Sequence, residues 1–184
     1  MQVQGRNARP LYITEYIGST EITCIQVDPG SALSIMLRRV MEHLSIHAHI
    51  LSATDTNIFG FNANSTRPMG KIKLCCQIGD LKTEVTVHVI DADTSYNLLL
   101  GRPWIHKNHI VPSTLHQVMK YVDDQGQVRT LVAEQCPFKG MENYFTDALL
   151  YQEAHEVVQD KEVLELGNGA DYESASESDN GSEE

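Results

Sequence analysis

Nowhere in these 184 residues do about 18 apolar side chains follow one another, so no segment is expected to cross a membrane as a helix. The opening Met1-Gln-Val-Gln-Gly5 is not an apolar stretch of signal-peptide length, so secretion is not expected, and an intracellular, cytoplasmic setting is. The four cysteines, Cys24, Cys75, Cys76 and Cys136, show no Cys-x-x-Cys spacing and sit mostly in apolar runs. In a reducing compartment they read as buried thiols rather than disulfides or ligands. His43, His47 and His49 lie close together, as do His106 and His109, but their spacing fits no recognised ligand set. No metal is expected, and with no Gly-rich phosphate loop, no cofactor.

Positive charge is also scarce. The 14 Lys and Arg face 25 Asp and Glu, for a net charge of -11. The imbalance is local: residues 150–184 carry eleven acids against the single base Lys161, while the first 149 residues are nearly balanced. A near-neutral body with an acidic end lacks the clustered Lys and Arg that phosphates reward, so nucleic acid is not an expected partner.

What is present is a core-sized supply of apolar residues, 41%, arranged mostly in short β-rich runs. Leu11–Ile17 and Glu21–Val27 flank Gly18-Ser-Thr20 and predict a hairpin that delivers Asp28 to a turn. Leu33, Met36, Leu37, Val40, Met41 and Leu44 recur at helical spacing and predict a helix over 33–44. Residues 52–61 read as a strand ending in Phe59-Gly60-Phe61, and 69–78 and 81–90 as two strands about Gly79-Asp80. Tyr96–Leu100 reads as a strand, and Gly101-Arg-Pro103 opens a short helix with proline in its first turn. Runs at 110–114, 118–122 and 128–133 complete a pattern of short strands with one or two short helices, which predicts an all-β closed or folded-over domain. Beyond Pro137 a weak helical stripe, Ala148, Leu149, Tyr151, Val157 and Val158, stands behind Thr146. The Glu-, Ser- and Asp-rich end has nothing to bury and is expected to stay disordered. The expected organisation is a flexible segment 1–9, a domain 10–138, a helical or partly ordered extension 139–166 and an acidic tail 167–184.

Asp28-Pro29-Gly30-Ser31 is the candidate for chemistry. Taken alone, Asp-Pro-Gly is also an ordinary surface turn. A backbone turning tightly about a carboxylate favours glycine, whose N–H can donate to Asp28. Ser31 adds a hydroxyl; bonded to Asp28, it would favour the ionised carboxylate and a lower working pH. Peptide hydrolysis by carboxylates needs two of them, one ionised as base and one protonated to polarise the scissile carbonyl. No second such turn occurs: Asp124-Gln-Gly126 lacks the flanking strand pattern of the Asp28 turn, and Asp91 and Asp93 have no glycine behind them. If Asp28 is catalytic, its partner carboxylate is Asp28 of another copy, in a two-fold homodimer.

The turn, and the run Leu98-Leu99-Leu100-Gly101 that ends 73 positions further on, resemble the active-site frame of retropepsins, the aspartic proteases of retroviruses and retrotransposons. The resemblance runs from about Pro10 to Phe138. Within it, Asn97-Leu-Leu-Leu-Gly-Arg-Pro-Trp104 and Val111-Pro-Ser-Thr-Leu-His-Gln117 are similar to the protease region of plant gypsy-type long-terminal-repeat retrotransposons. It implies a retropepsin-like half-barrel, one lobe per chain, with Asp28 catalytic and Pro29, Gly30 and Ser31 supporting the loop. Leu99, Leu100 and Gly101 would form the scaffold behind the site. Ile58, Phe59, Gly60 and Phe61 would act as a flap over an extended peptide or polyprotein substrate held as an added strand; core packing is the alternative for the two phenylalanines. Where the family carries a Thr or Ser that bonds across the dimer, this chain has Pro29, which offers neither hydroxyl nor N–H. A catalytically impaired dimerisation or peptide-binding module is therefore the alternative to an endopeptidase.

Overall fold

In the computed structural model the first compact unit spans Met1–Tyr151. The structure describes residues 9–59 and 65–137, all within the first unit. The expectations for 1–8, for Gly60 and Phe61, and for the helical extension and acidic tail fall outside the described residues.

The first hairpin forms as its pattern requires, with β1 (Leu11–Ile17) antiparallel to β2 (Thr20–Val27) across a turn at Gly18, whose φ is 61°. Its register shifts once. Ile13 faces Ile25 while Glu15 faces Ile22, so β2 carries one extra residue there, and Cys24 absorbs it at φ 52°. A one-residue slip exchanges the faces of a strand. Here it lets Ile22, Ile25 and Val27 all enter one core, while Cys24 turns to a separate cluster with Tyr12.

The run expected to be one helix over 33–44 is divided. Ser34–Leu37 forms β3, buried throughout, and only Arg38–His43 forms helix α1. Apolar side chains at helical spacing also suit a short strand covered on both faces, and neighbouring strands decide between the two. Later in the chain, β4 (Ile58–Phe59) pairs with β5 (Ser65–Thr66), and a long hairpin joins β6 (Gly70–Ile78) to β7 (Leu81–Ile90) through Gly79. β8 (Leu98–Leu100) then runs into helix α2 (Arg102–Lys107), with Pro103 in its first turn and Trp104 buried. β3 lies between β7, to which it is parallel, and β8, to which it is antiparallel. The residues from 52 onward form less strand than expected, since Ser52 makes only an isolated bridge to Lys71.

These strands close a barrel in the order β1-β2-β8-β3-β7-β6, with two parallel contacts, β2–β8 and β3–β7. A separate antiparallel sheet, β9 (Val111–Ser113), β10 (Val118–Val122) and β11 (Val128–Val132), buries Met119 and Tyr121 in the same core. It is fastened where the Tyr121 hydroxyl donates to Asp80 Oδ1 at 2.7 Å and where Glu134 N–H donates to the Tyr12 carbonyl at 2.7 Å. The cysteines divide: Cys24 and Cys76 are buried, Cys136 is half-buried, and Cys75 is exposed. The expectation of four buried thiols fails at Cys75 because strand alternation turns it outward when Cys76 turns in.

Candidate active site

Val27, the last residue of β2, pairs in parallel with Leu100 of β8, and the next N–H, that of Asp28, donates to the Leu100 carbonyl at 3.0 Å. Asp28 therefore leaves the sheet at a fixed point, with its side chain half-exposed at the strand end. Gly30 N–H donates to Asp28 Oδ1 at 2.8 Å, and Ser31 N–H closes the turn on the Asp28 carbonyl at 3.2 Å. A β-carbon at position 30 would stand 3.0 Å from Asp28 Oδ1, so the carboxylate occupies the space that a larger residue needs.

The end of β8 clasps this turn from behind. Arg102 N–H donates to the Ser31 carbonyl at 2.9 Å, and Gly101 N–H donates to Ser34 Oγ at 3.0 Å. A β-carbon on Gly101 would come within 2.2 Å of the Leu33 carbonyl oxygen, so only glycine permits this approach. Leu99 and Leu100 are buried beneath it. The structure thus brings together Asp28, Gly30, Ser31, Leu99, Leu100 and Gly101, two regions far apart in sequence. Pro29 is exposed on the turn.

Ser31 departs from expectation. Its hydroxyl donates to the Leu33 carbonyl at 2.8 Å, not to Asp28, because the turn carries that carbonyl back over it. The argument for a lower working pH from a Ser31–Asp28 bond falls with it. Ile58 is half-buried against the core, whereas Phe59 is 69% exposed, which removes core packing as its role. The Ile58–Phe59 and Ser65–Thr66 pair forms the base of a hairpin; Gly60 and Phe61 lie outside the described residues.

Two site residues were not singled out from sequence. Asn97 is tied on four sides: its N–H donates to the Cys24 carbonyl at 3.0 Å and its Nδ2 to the Thr23 carbonyl at 3.0 Å, while its carbonyl accepts from Leu37 N–H at 3.2 Å and its Oδ1 from Arg39 Nε at 3.2 Å. It thereby locks β8 between the bulge in β2 and the β3–α1 junction. Tyr96 precedes it. Burial pushes the Tyr96 phenol above the ordinary tyrosine value, Thr94 pulls it back, and the negative charge of Asp28 pushes it up again. The available signal was their position just before the apolar run.

No family model matches the chain, and no curated protein matches it. Among solved structures it is similar to the retroviral protease-like domain of Ddi1 from Leishmania major, with 18% identity over 67% of this chain and 95% of that one, at a TM-score of 0.50. It is also similar to a retropepsin-like aspartic protease from Rickettsia conorii, with 20% identity over 56% of this chain and 76% of that one, at a TM-score of 0.44. At such identities the first likeness shows the fold, and the second adds nothing to the argument. Among the described residues the fold is mostly β with two short α-helices, that of retropepsin-like domains.

Proposed function

We propose that this chain is one lobe of a homodimeric aspartic endopeptidase, in which Asp28 of each copy meets its twin across a two-fold axis. The observation that carries this reading is the clasped turn: Asp28 is held by its own N–H on Leu100 and by Gly30 N–H on its carboxylate, with Gly101 seated behind. A fixed carboxylate at a strand end is what an acid–base pair requires.

Two carboxylates in contact cannot both ionise cheaply, so the pair holds one proton between pH values that separate its two titrations. The ionised Asp28 takes a proton from a water as that water attacks the scissile carbonyl. The protonated Asp28 of the other copy donates its proton toward the developing oxyanion, and the roles reverse as the amine leaves. Substrate is an extended segment of a polyprotein, of the kind a gypsy-type retrotransposon encodes and processes in the cytoplasm or in a virus-like particle. The hairpin based on Ile58 and Phe59 covers it.

The test is cleavage of a denatured protein between about pH 4 and 7. Activity blocked by pepstatin and absent in Asp28→Asn supports the reading; no cleavage from a well-formed dimer sinks it. That second outcome favours a binding module of the same fold. One observation speaks for the module: with Pro29 on the turn and the Ser31 hydroxyl spent on Leu33, neither residue offers a hydroxyl to a second copy.

A further inference from the structure

Of the histidines among the described residues only His88 is buried, at 7% exposure. It alternates along β7 with Val87 and Val89, which belong to the core, so its ring lies on the other face of the sheet, with Thr86 and Glu84. Its Nδ1 is buried and has no hydrogen-bond partner among the described residues. A buried ring nitrogen without a partner already costs stability, and the proposed hydrolysis gives this one no role.

Pairing places His88 in a row that crosses the sheet: Ser52, Lys71, His88, Ile35 and Leu99. At one end of the row is the strand behind Asp28. At the other, both legs of the β4–β5 hairpin meet the barrel. Ser52, ahead of β4, exchanges two backbone bonds with Lys71, each of 2.9 Å, and Met69, after β5, donates its N–H to the Val89 carbonyl at 2.8 Å. Gly70 admits the first leg so closely that a β-carbon there would stand 2.7 Å from that of Leu51. Because Lys71 spends both backbone groups on Ser52, its pairing with His88 is of the non-hydrogen-bonded kind, in which Cα atoms stand about 4.5 Å apart and side chains are closest.

A proton on Nδ1 adds a donor with no acceptor and a positive charge opposite Lys71. β6 also brings Lys73 to this face. Glu84, the carboxylate of β7, lies beyond Thr86, and Lys107 of α2 donates to the Glu84 carbonyl at 3.0 Å. β3 supplies Ser34 to Leu37, none of them charged, while Arg38 and Asp91, just past the ends of β3 and β7, pair with each other at 3.1 Å. The leg ahead of β4 carries His47, His49 and Asp55, all exposed. Burial holds the His88 ring below the ordinary histidine value, the Ser34 backbone pulls it part of the way back, and Lys71 lowers it again. A charged ring is accommodated by reaching water. β3 cannot yield, being held between β7 and β8, whereas Ser52 is held by an isolated bridge.

We infer that His88 is a positioning residue, which in its neutral form keeps both legs of the β4–β5 hairpin on the barrel and on protonation lets them go. The inference rests on the reading of that hairpin as the cover of a bound peptide, and it makes substrate binding weaken as pH falls below the ordinary histidine value of about 6.5. The sign follows from linkage: the opened form takes the proton more readily, so the closed form is whole above that value and is lost on acidification.

Hydrogen exchange of the full-length Asp28→Asn chain, corrected for the intrinsic pH dependence of exchange, tests this without any cleavage. Between about pH 7 and 5 the protection of the Ser52, Met69 and Lys71 amides should fall by up to about tenfold per pH unit, while amides of β10, in the separate sheet, keep theirs. Equal loss at all sites is unfolding of the whole chain, and no loss at the legs means that the ring does not hold them; either overturns the proposal. His88→Gln, neutral at every pH, should hold the three amides at one level across the range, and a fall that persists overturns it too. The unmodified ring gives an independent reading. Its NMR resonances titrate over the range in which the legs lose protection, and titration without loss, or loss without titration, overturns the proposal. In the active chain KM rises on acidification, and in His88→Gln it stays level, with one pH profile of kcat for both; a KM that moves alike in both counts against His88. Failure to cleave at any pH sinks the endopeptidase reading and leaves the exchange result standing, so the two failures are distinguishable.

Discussion

Gly101 faces the Leu33 carbonyl so closely that a β-carbon there would stand 2.2 Å from its oxygen, and 2.9 Å from that of Ser31. Backbone cannot yield as a flexible side chain does. Gly101→Ala therefore forces β8 away from the turn, and we expect a loss of about 3 kcal/mol of stability, the upper end of what overpacking costs. Gly30→Ala presses only on the Asp28 carboxylate at 3.0 Å. It keeps its stability within about 1 kcal/mol while losing activity. Urea titrations beside cleavage assays separate the two.

Pro29→Thr restores the hydroxyl that the resemblance places at the dimer axis. One hydrogen bond is worth roughly 0.5–1.5 kcal/mol, and two-fold symmetry doubles the count. The Asp28 dimer should tighten by roughly 5- to 150-fold, read by sedimentation equilibrium. An unchanged dissociation constant would show that position 29 does not meet its partner.

Asn97→Leu removes the amide that donates to the Thr23 carbonyl and accepts from Arg39. The exposed Thr23 carbonyl then exchanges its partner at the bulge for water, and the expected cost is that of a net hydrogen bond, about 0.5–1.5 kcal/mol. The denaturation midpoint falls at unchanged slope, and activity falls with it, because the strand behind Asp28 is no longer pinned.

Burial, and then the Asp80 carboxylate that accepts its hydroxyl proton, push the Tyr121 phenol up to about 12. A folded value above the unfolded one means that the stabilisation is whole below the ordinary tyrosine value of about 10 and is lost as pH climbs from there toward 12. The same bond holds Asp80 below the ordinary carboxylate value, so its share is present above that value and is lost on acidification. Tyr121→Phe should flatten the alkaline limb of the stability profile, measured as urea midpoint against pH between about 9 and 12. An identical limb in both proteins would show that the bond does not form in solution.

Alkylation of the folded chain should modify Cys75 first and leave Cys24 and Cys76 untouched. Burial pushes the Cys24 thiol up and carries Cys76 to about 12, so neither forms the reactive thiolate near neutral pH. Mass spectrometry of the digested protein reads the order, and early labelling of Cys76 would contradict the barrel register.

Much of the fold is legible in sequence because its signals are local. Leu11–Ile17 and Leu81–Ile90 form with the expected bounds, the Gly79-Asp80 turn lies between its strands, and Pro103 opens its helix. Asp28, Gly30 and Gly101 were also readable, since an acid-bearing tight turn and a close backbone approach each restrict residue type at a single position. The division of 33–44 was not. Its apolar spacing serves a helix and a doubly covered strand equally well, and the presence of β7 and β8 on either side settles the matter.

Sequence alone therefore determined where the carboxylate stands and which glycines let chain pass close to chain, because those are properties of one residue and its immediate neighbours. Tertiary structure decided what each polar group bonds to. Ser31 turns to Leu33, and Asn97 gathers three segments. The physical reason is that hydrogen-bond partners and strand neighbours come from residues distant along the chain, and their identity is fixed only when the barrel closes.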